Sequence, residues 1–93
     1  MGRVLEDPVD GEVTIIPCAL KHGLSEEDIM SAWRNATAVR MRNFDIPSIY
    51  AAAGPDTRGN LIELLLAEQE DGSFVAYHAM KLTTKMAGEL GLC

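Results

Sequence analysis

Cysteine is scarce in this sequence: the 93 residues contain only Cys18 and Cys93. Two histidines accompany them, and no C-x-x-C or H-x-x-x-H spacing combines these side chains into a zinc motif. We therefore expect no metal site and no disulfide framework, with Cys18 a small buried residue, and low cysteine usage favours a cytoplasmic protein. Glycine-rich phosphate loops and nucleophile elbows are also absent, so we expect no cofactor.

Long apolar runs and an excess of basic residues are missing as well. No run approaches the roughly 18 residues of a membrane span, and residues 1 to 8 lack the apolar core of a signal peptide. With 8 Lys and Arg against 14 Asp and Glu, the formal net charge is −6. This surplus of acidic residues disfavours docking to anionic membranes and sequence-independent binding to nucleic acid. We expect no membrane partner.

The acidic residues are unevenly distributed along the chain. Most of the negative charge lies in residues 1 to 12 and in residues 60 to 72. We interpret residues 1 to 12 as an acidic, flexible leader and residues 13 to 93 as one domain, since a chain of this length does not hold two hydrophobic cores. The surface that carries Arg40, Arg42, His78, Lys81 and Lys85 would then be locally basic, and we expect the leader to fold over that basic face.

The N-terminal half of the domain predicts a short strand and two helical segments. Residues 13 to 16 are all β-branched and predict the strand, and Pro17 then opens a short helical turn. Ser25 and Asp28 have the spacing of a capping box. We therefore predict a helix over residues 26 to 36, whose apolar side chains recur at helical spacing.

The C-terminal half predicts a succession of strands separated by turn-forming residues. The predicted strands cover residues 39 to 42, 48 to 53, 61 to 67 and 74 to 77. A threonine, Thr83 or Thr84, then caps a short final helix. The predicted fold class is α+β: a small antiparallel meander of three to five strands, with N-terminal helices packed on one face and a short C-terminal helix.

Three short motifs follow one another along the chain. A K-H-G tripeptide at residues 21 to 23 precedes the helix, Gly54 and Gly59 punctuate the central strands, and residues 79 to 85 follow the last strand. This order, over residues 17 to 90, resembles the BrnT-type toxins of bacterial type II toxin–antitoxin pairs, whose fold is similar to that of the RelE ribonucleases. The resemblance implies a RelE-like fold, ribonuclease activity on RNA and an antitoxin partner.

The chain departs from the family at its basic positions. Residues 46 to 50 stand where the family usually has an E-x-R, and lysine or methionine replaces the arginine of the A-R-x-A-T motif. The family is also basic, whereas this chain is acidic.

His78 and Lys81 are the candidates for catalysis. Alternation along the strand predicts that His78 shares one face with Phe74, Ala76 and Met80. RelE-like nucleases position RNA and use polar side chains as acids and bases, so a histidine near Lys81 would serve this chemistry. The alternative is a half-buried His78 that hydrogen-bonds to the backbone.

Arg40, Arg42 and Lys85 are the candidates for phosphate binding. The two arginines alternate on one strand face, where guanidinium groups suit either phosphate or the carboxylates of a partner. Lys85 lies at the start of the last helix, where backbone N–H groups would add to an anion site. The alternatives are a solvated lysine, and arginines paired across strands with Glu63 or Glu68.

Two functions follow from these observations. The first is a toxin-like ribonuclease whose substrate is RNA and whose partner is an antitoxin. The second is a non-catalytic interaction module or homodimer, formed through an exposed sheet edge or through the apolar strand at residues 61 to 67. Glu63 interrupts that strand, and the sequence leaves open whether it faces solvent or partners a buried cation.

Overall fold

The computed structural model describes residues 12–43, 45 and 47–92, so nearly all of the predicted acidic leader lies outside the described residues. The elements are β1 (Val13–Ile15), a 3-10 helix (Pro17–Leu20), α1 (Glu26–Arg34), β2 (Ala38–Met41), β3 (Ser48–Pro55), β4 (Leu61–Glu68), β5 (Phe74–Lys81) and α2 (Thr84–Glu89). The α+β class predicted from the sequence is confirmed.

The strands form one five-stranded sheet in the order β1-β5-β4-β3-β2. Strands β2 to β5 make the predicted antiparallel meander. β1 pairs in parallel with β5, so the sheet is mixed rather than wholly antiparallel. β4 is the central strand and buries Ile62, Leu64 and Leu66 in the core. These three side chains are therefore not available as the partner surface that the composition of the strand suggested, whereas Leu61 at its start is 42% exposed.

The predicted capping box starts α1. The Ser25 hydroxyl accepts from the Asp28 N–H at 3.0 Å, and the Asp28 carboxylate accepts from the Ser25 N–H at 3.1 Å. The helix ends at Arg34, two residues earlier than predicted. The reason is that the Thr37 N–H already donates to the Ala53 carbonyl at 2.8 Å, so the chain must extend to pair with β3.

One face of the sheet, which we call the inner face, carries the hydrophobic core. Ile29, Ala32 and Trp33 of α1 and Ala19 of the 3-10 helix pack there against the buried side chains of the central strands. Helix α1 approaches β3 so closely that a Cβ at Gly54 would overlap the carbonyl oxygen of Ala32. Glycine at this position is therefore a packing requirement. Cys18, predicted to be buried, is exposed, because the 3-10 helix directs Ala19 rather than Cys18 into the core.

A β-bulge in β5 changes which side chains face the core. Leu66 pairs with Ala76 and Leu65 pairs with His78, so Tyr77 is an extra residue in the strand. Because Leu65 and Leu66 point to opposite faces, His78 lies on the face opposite to Ala76. The prediction that His78 shares a face with Phe74 and Ala76 is therefore wrong.

The second face of the sheet, which we call the outer face, is covered in part by α2. The register places Arg40, Ala51, Leu65 and His78 side by side in one row across this face. Met86 of α2 is buried against it, beside Leu65. Within the described residues, neither α-helix has the length and hydropathy that a membrane-spanning helix needs.

Candidate functional site on the outer face

Glu63 is the buried carboxylate around which the candidate site is built. It lies in the central strand with 5% of its surface exposed. Its Oε2 is 3.0 Å from Nε2 of His78, and its Oε1 accepts from the Thr83 N–H at 2.9 Å and from the Thr83 hydroxyl at 2.7 Å. Both carboxylate oxygens are thus bound, which is what a buried acid requires.

Hydrogen bonding keeps this carboxylate ionised. Burial by itself raises the pKa of Glu63, but the hydrogen bonds from Thr83 and His78 outweigh it, so the pKa lies below its usual value. A carboxylate held in this state fixes the orientation of the His78 ring through the hydrogen bond to Nε2. Glu63 therefore partners a histidine, which settles the alternative that the sequence left open.

His78 is the half-exposed member of the pair, with 25% of its side chain accessible. Glu63 engages Nε2, so proton exchange with a ligand would use Nδ1. The His22 ring meets the His78 ring edge-on, at 5.9 Å between centroids. A base held by a carboxylate and still open to solvent has the arrangement of general acid–base catalysts. The partner of His78 is therefore a side chain, not the backbone group weighed from the sequence.

Thr83 connects this pair to α2. Its hydroxyl donates to Glu63 and accepts from the Met86 N–H at 3.1 Å, so one side chain caps the helix and orients the carboxylate. The N-terminal end of α2 is therefore fixed to the central strand at Glu63.

Arg40 and Arg42 both reach the C-terminal end of α2. Arg42 donates from Nε and from Nη2 to the two carboxylate oxygens of Glu89, each at 2.7 Å. Arg40 donates from Nη1 to the Glu89 backbone carbonyl at 3.3 Å. The sequence suggested Glu63 or Glu68 as the carboxylate partner of the arginines, but the partner is Glu89. The hydrogen bond to Glu89 raises the pKa of Arg42, and the same bond lowers the pKa of Glu89.

The two lysines lie on different faces of the sheet. Lys85 joins Arg42, Glu63 and Glu89 in the wall of an outer-face cavity of about 180 Å³. Lys81 pairs with Ile62, whose side chain is in the core, and lines a separate cavity of about 250 Å³ with His22. Because side chains alternate along β5, Lys81 lies on the face opposite to His78, and the two lysines do not form one anion site.

Sequence reasoning missed Glu89 and Thr83 as members of this arrangement. Glu89 is the last residue of α2, where a negative charge is unfavourable to the helix dipole, and this misplaced charge is a usable signal that a cation lies nearby. Thr83 was expected only as a helix cap. Within residues 12–43, 45 and 47–92, no three histidine, cysteine, aspartate or glutamate side chains converge in a way that would hold a metal ion.

Comparisons with protein-family models, with curated proteins and with solved structures find no match for this chain. The residues of this chain and their geometry are therefore what indicate its function.

Proposed function

We propose that this chain is a toxin-like endoribonuclease that acts on RNA in the bacterial cytoplasm and is neutralised by an antitoxin protein. One observation carries the proposal: the Glu63–His78 pair lies on the same sheet face as Arg40, Arg42 and Lys85. A base and several cations on one surface are what the cleavage of a phosphodiester requires.

In the proposed mechanism, His78 is the general base. It removes the proton of a ribose 2′-hydroxyl, whose oxygen attacks the adjacent phosphorus as the bond to the 5′-oxygen breaks. The leaving oxygen takes up a proton from water, His78 returns its proton to the solvent, and the products are a cyclic phosphate and a 5′-hydroxyl. Glu63 stabilises the imidazolium that forms. Lys85, which shares a cavity with Glu63, stabilises the charge on the phosphoryl oxygens.

The arginines bind at a distance from the reacting atoms. Arg40 is separated from His78 by Ala51 and Leu65 in one row, so about 14 Å of sheet lies between them. Arg40 and Arg42 would therefore bind phosphates that flank the scissile one and orient the RNA strand across the outer face.

Substitution of His78 tests this proposal. Expression of the wild type should arrest bacterial growth, and the purified protein should cleave single-stranded messenger RNA. His78→Ala should lower the cleavage rate about 100-fold or more and abolish the arrest. Lys81→Ala, on the same strand but on the other face, is the matched control and should retain activity. Absence of cleavage and of growth arrest with a folded wild-type protein would contradict the proposal.

A second candidate function is a non-catalytic interaction module. β2 pairs with β3 on one side, is an edge of the described sheet, and exposes 41% of Val39. An edge of this kind can pair with the same edge of a second copy and extend the sheet. Light scattering after size exclusion tests this candidate: a dimer that Val39→Lys dissociates supports it, and a monomer at every concentration contradicts it.

A further inference from the structure

The Glu89 carboxylate occupies the arginine cluster in the geometry of a bound anion. It forms two parallel hydrogen bonds with Arg42, both of 2.7 Å, and Arg40 contacts the backbone carbonyl of the same residue. A guanidinium group offers the same paired donors to a phosphate as to a carboxylate. The position of Glu89 therefore marks where one phosphate would bind.

The helix itself does not favour this placement. Glu89 ends α2, and a negative charge at a helix C-terminus is unfavourable to the helix dipole. Apart from the arginine contacts with Glu89 at its C-terminal end, α2 is fixed to the sheet through Thr83 and Met86, which lie at or near its first turn. Glu89 can therefore leave Arg42 while the start of α2 keeps its contacts with Glu63.

We propose that Glu89 is an internal competitor of RNA: its carboxylate fills a phosphate subsite on Arg42, and the substrate phosphodiester binds there by displacing it. This inference rests on the proposed ribonuclease function and adds its regulation. It also explains how an acidic chain can keep basic residues on a surface without attracting anions at random, since the pair neutralises Arg42 until a polyanion competes for it.

The test measures binding separately from cleavage. An RNA strand whose 2′-hydroxyls are methylated keeps its phosphates but supplies no nucleophile, so its affinity is measured by fluorescence anisotropy without turnover. Glu89→Gln removes the competing charge with little change of shape. Glu70→Gln removes the same charge from the exposed β4–β5 turn and is the matched control for net charge.

Glu89→Gln should bind this RNA about fivefold more tightly than the wild type, the gain expected when a surface ion pair no longer competes. The salt dependence should steepen by about 0.7 in log–log slope for the additional phosphate contact. Arg42→Gln combined with Glu89→Gln should remove the gain. Equal effects of Glu89→Gln and Glu70→Gln, or a gain that persists without Arg42, would overturn the inference, provided that thermal melts show folded variants.

The two proposals fail in different ways. A gain in affinity for Glu89→Gln without RNA cleavage by any variant upholds the phosphate subsite and overturns the ribonuclease function. Cleavage of unmodified RNA that depends on His78, without any gain in RNA affinity for Glu89→Gln, upholds the ribonuclease function and overturns the phosphate subsite. An acidic peptide that binds Glu89→Gln more tightly than the RNA does would assign the subsite to a protein partner and overturn the inference.

Discussion

At the scale of single residues, Asp28 connects two distant parts of the chain. One carboxylate oxygen accepts from the Ser25 N–H and completes the cap of α1. The other accepts from the N–H of Thr57 at 3.0 Å and from its hydroxyl at 2.6 Å, in the turn between β3 and β4. The hydrogen bonds from Thr57 above all, with that from Ser25, hold the pKa of Asp28 well below its usual range.

Removal of this charge should make stability less dependent on pH. A carboxyl whose pKa is lowered by folding stabilises the protein above the pKa of the unfolded chain and loses that effect as the pH falls. Asp28→Asn should therefore lower the free energy of unfolding by about 1 kcal/mol at neutral pH. The difference from the wild type should shrink below about pH 4.

Urea denaturation at several pH values measures this difference. Glu27→Gln removes a charge from the same helical turn and is the control. A difference between Asp28→Asn and wild type that stays constant from neutral to strongly acidic pH would contradict the prediction.

The sequence predicted only part of the site at this scale. Ser25 and Asp28 are three positions apart, so the capping box was readable from local spacing. Thr57 lies 29 positions from Asp28, and Glu89 lies 47 positions from Arg42. No local pattern predicts such pairs, because they depend on how whole elements are placed.

At the scale of elements, the contact between α1 and β3 should be very sensitive to one methyl group. Gly54→Ala would drive a Cβ into the Ala32 carbonyl, and neither backbone can retreat without disturbing the core. We expect a loss of about 3 kcal/mol in the free energy of unfolding. Gly88→Ala, in open space within α2, is the matched control and should gain about 0.5 kcal/mol.

Both changes are measurable through Trp33. This residue is the single tryptophan of the chain and only 1% exposed, so its fluorescence reports unfolding of the core during urea denaturation. Equal stability of Gly54→Ala and the wild type would show that α1 does not approach β3 as closely as described.

The sequence predicted the strands better than their faces. Alternation located β2, and the glycine, proline and aspartate residues before β3 and in the two turns that follow it located β3, β4 and the start of β5. The bulge in β5 was not predicted, because His78 is the single charged or strongly polar residue among residues 74 to 80. A run of this composition has no alternation of polar and apolar side chains that would reveal a one-residue shift in strand register. The position of His78 on the outer face could therefore be determined only from the structure.

At the scale of the whole molecule, the distribution of charge matters more than its sum. The formal net charge of −6 opposes RNA binding, yet Arg40, Arg42 and Lys85 lie together on or beside the outer face. Residues 1 to 11 contain three acidic residues and one arginine. Their removal should raise RNA affinity about twofold at low salt, with the effect lost at high salt.

The deletion should keep Glu12, because its carbonyl accepts from the Phe74 N–H at 2.7 Å and continues the pairing of β1 with β5. A full-length variant in which Arg3, Glu6, Asp7 and Asp10 become Gln, Gln, Asn and Asn has the same change of net charge as the deletion and separates charge from chain length. Anisotropy with the methylated RNA should give the same gain for both proteins, and unchanged affinity in both would contradict the prediction.

The bulge at Tyr77 also determines where the sheet tolerates a change of length. Loss of Tyr77 leaves Ala76 opposite Leu66 and His78 opposite Leu65, so the side chains on either side keep their faces. In β4 every residue from Leu61 to Glu68 has its own partner in β3. Loss of one residue there, at Leu65, would carry Glu63 to the inner face and place a charge in the core. Two neighbouring strands thus respond oppositely to a single-codon deletion.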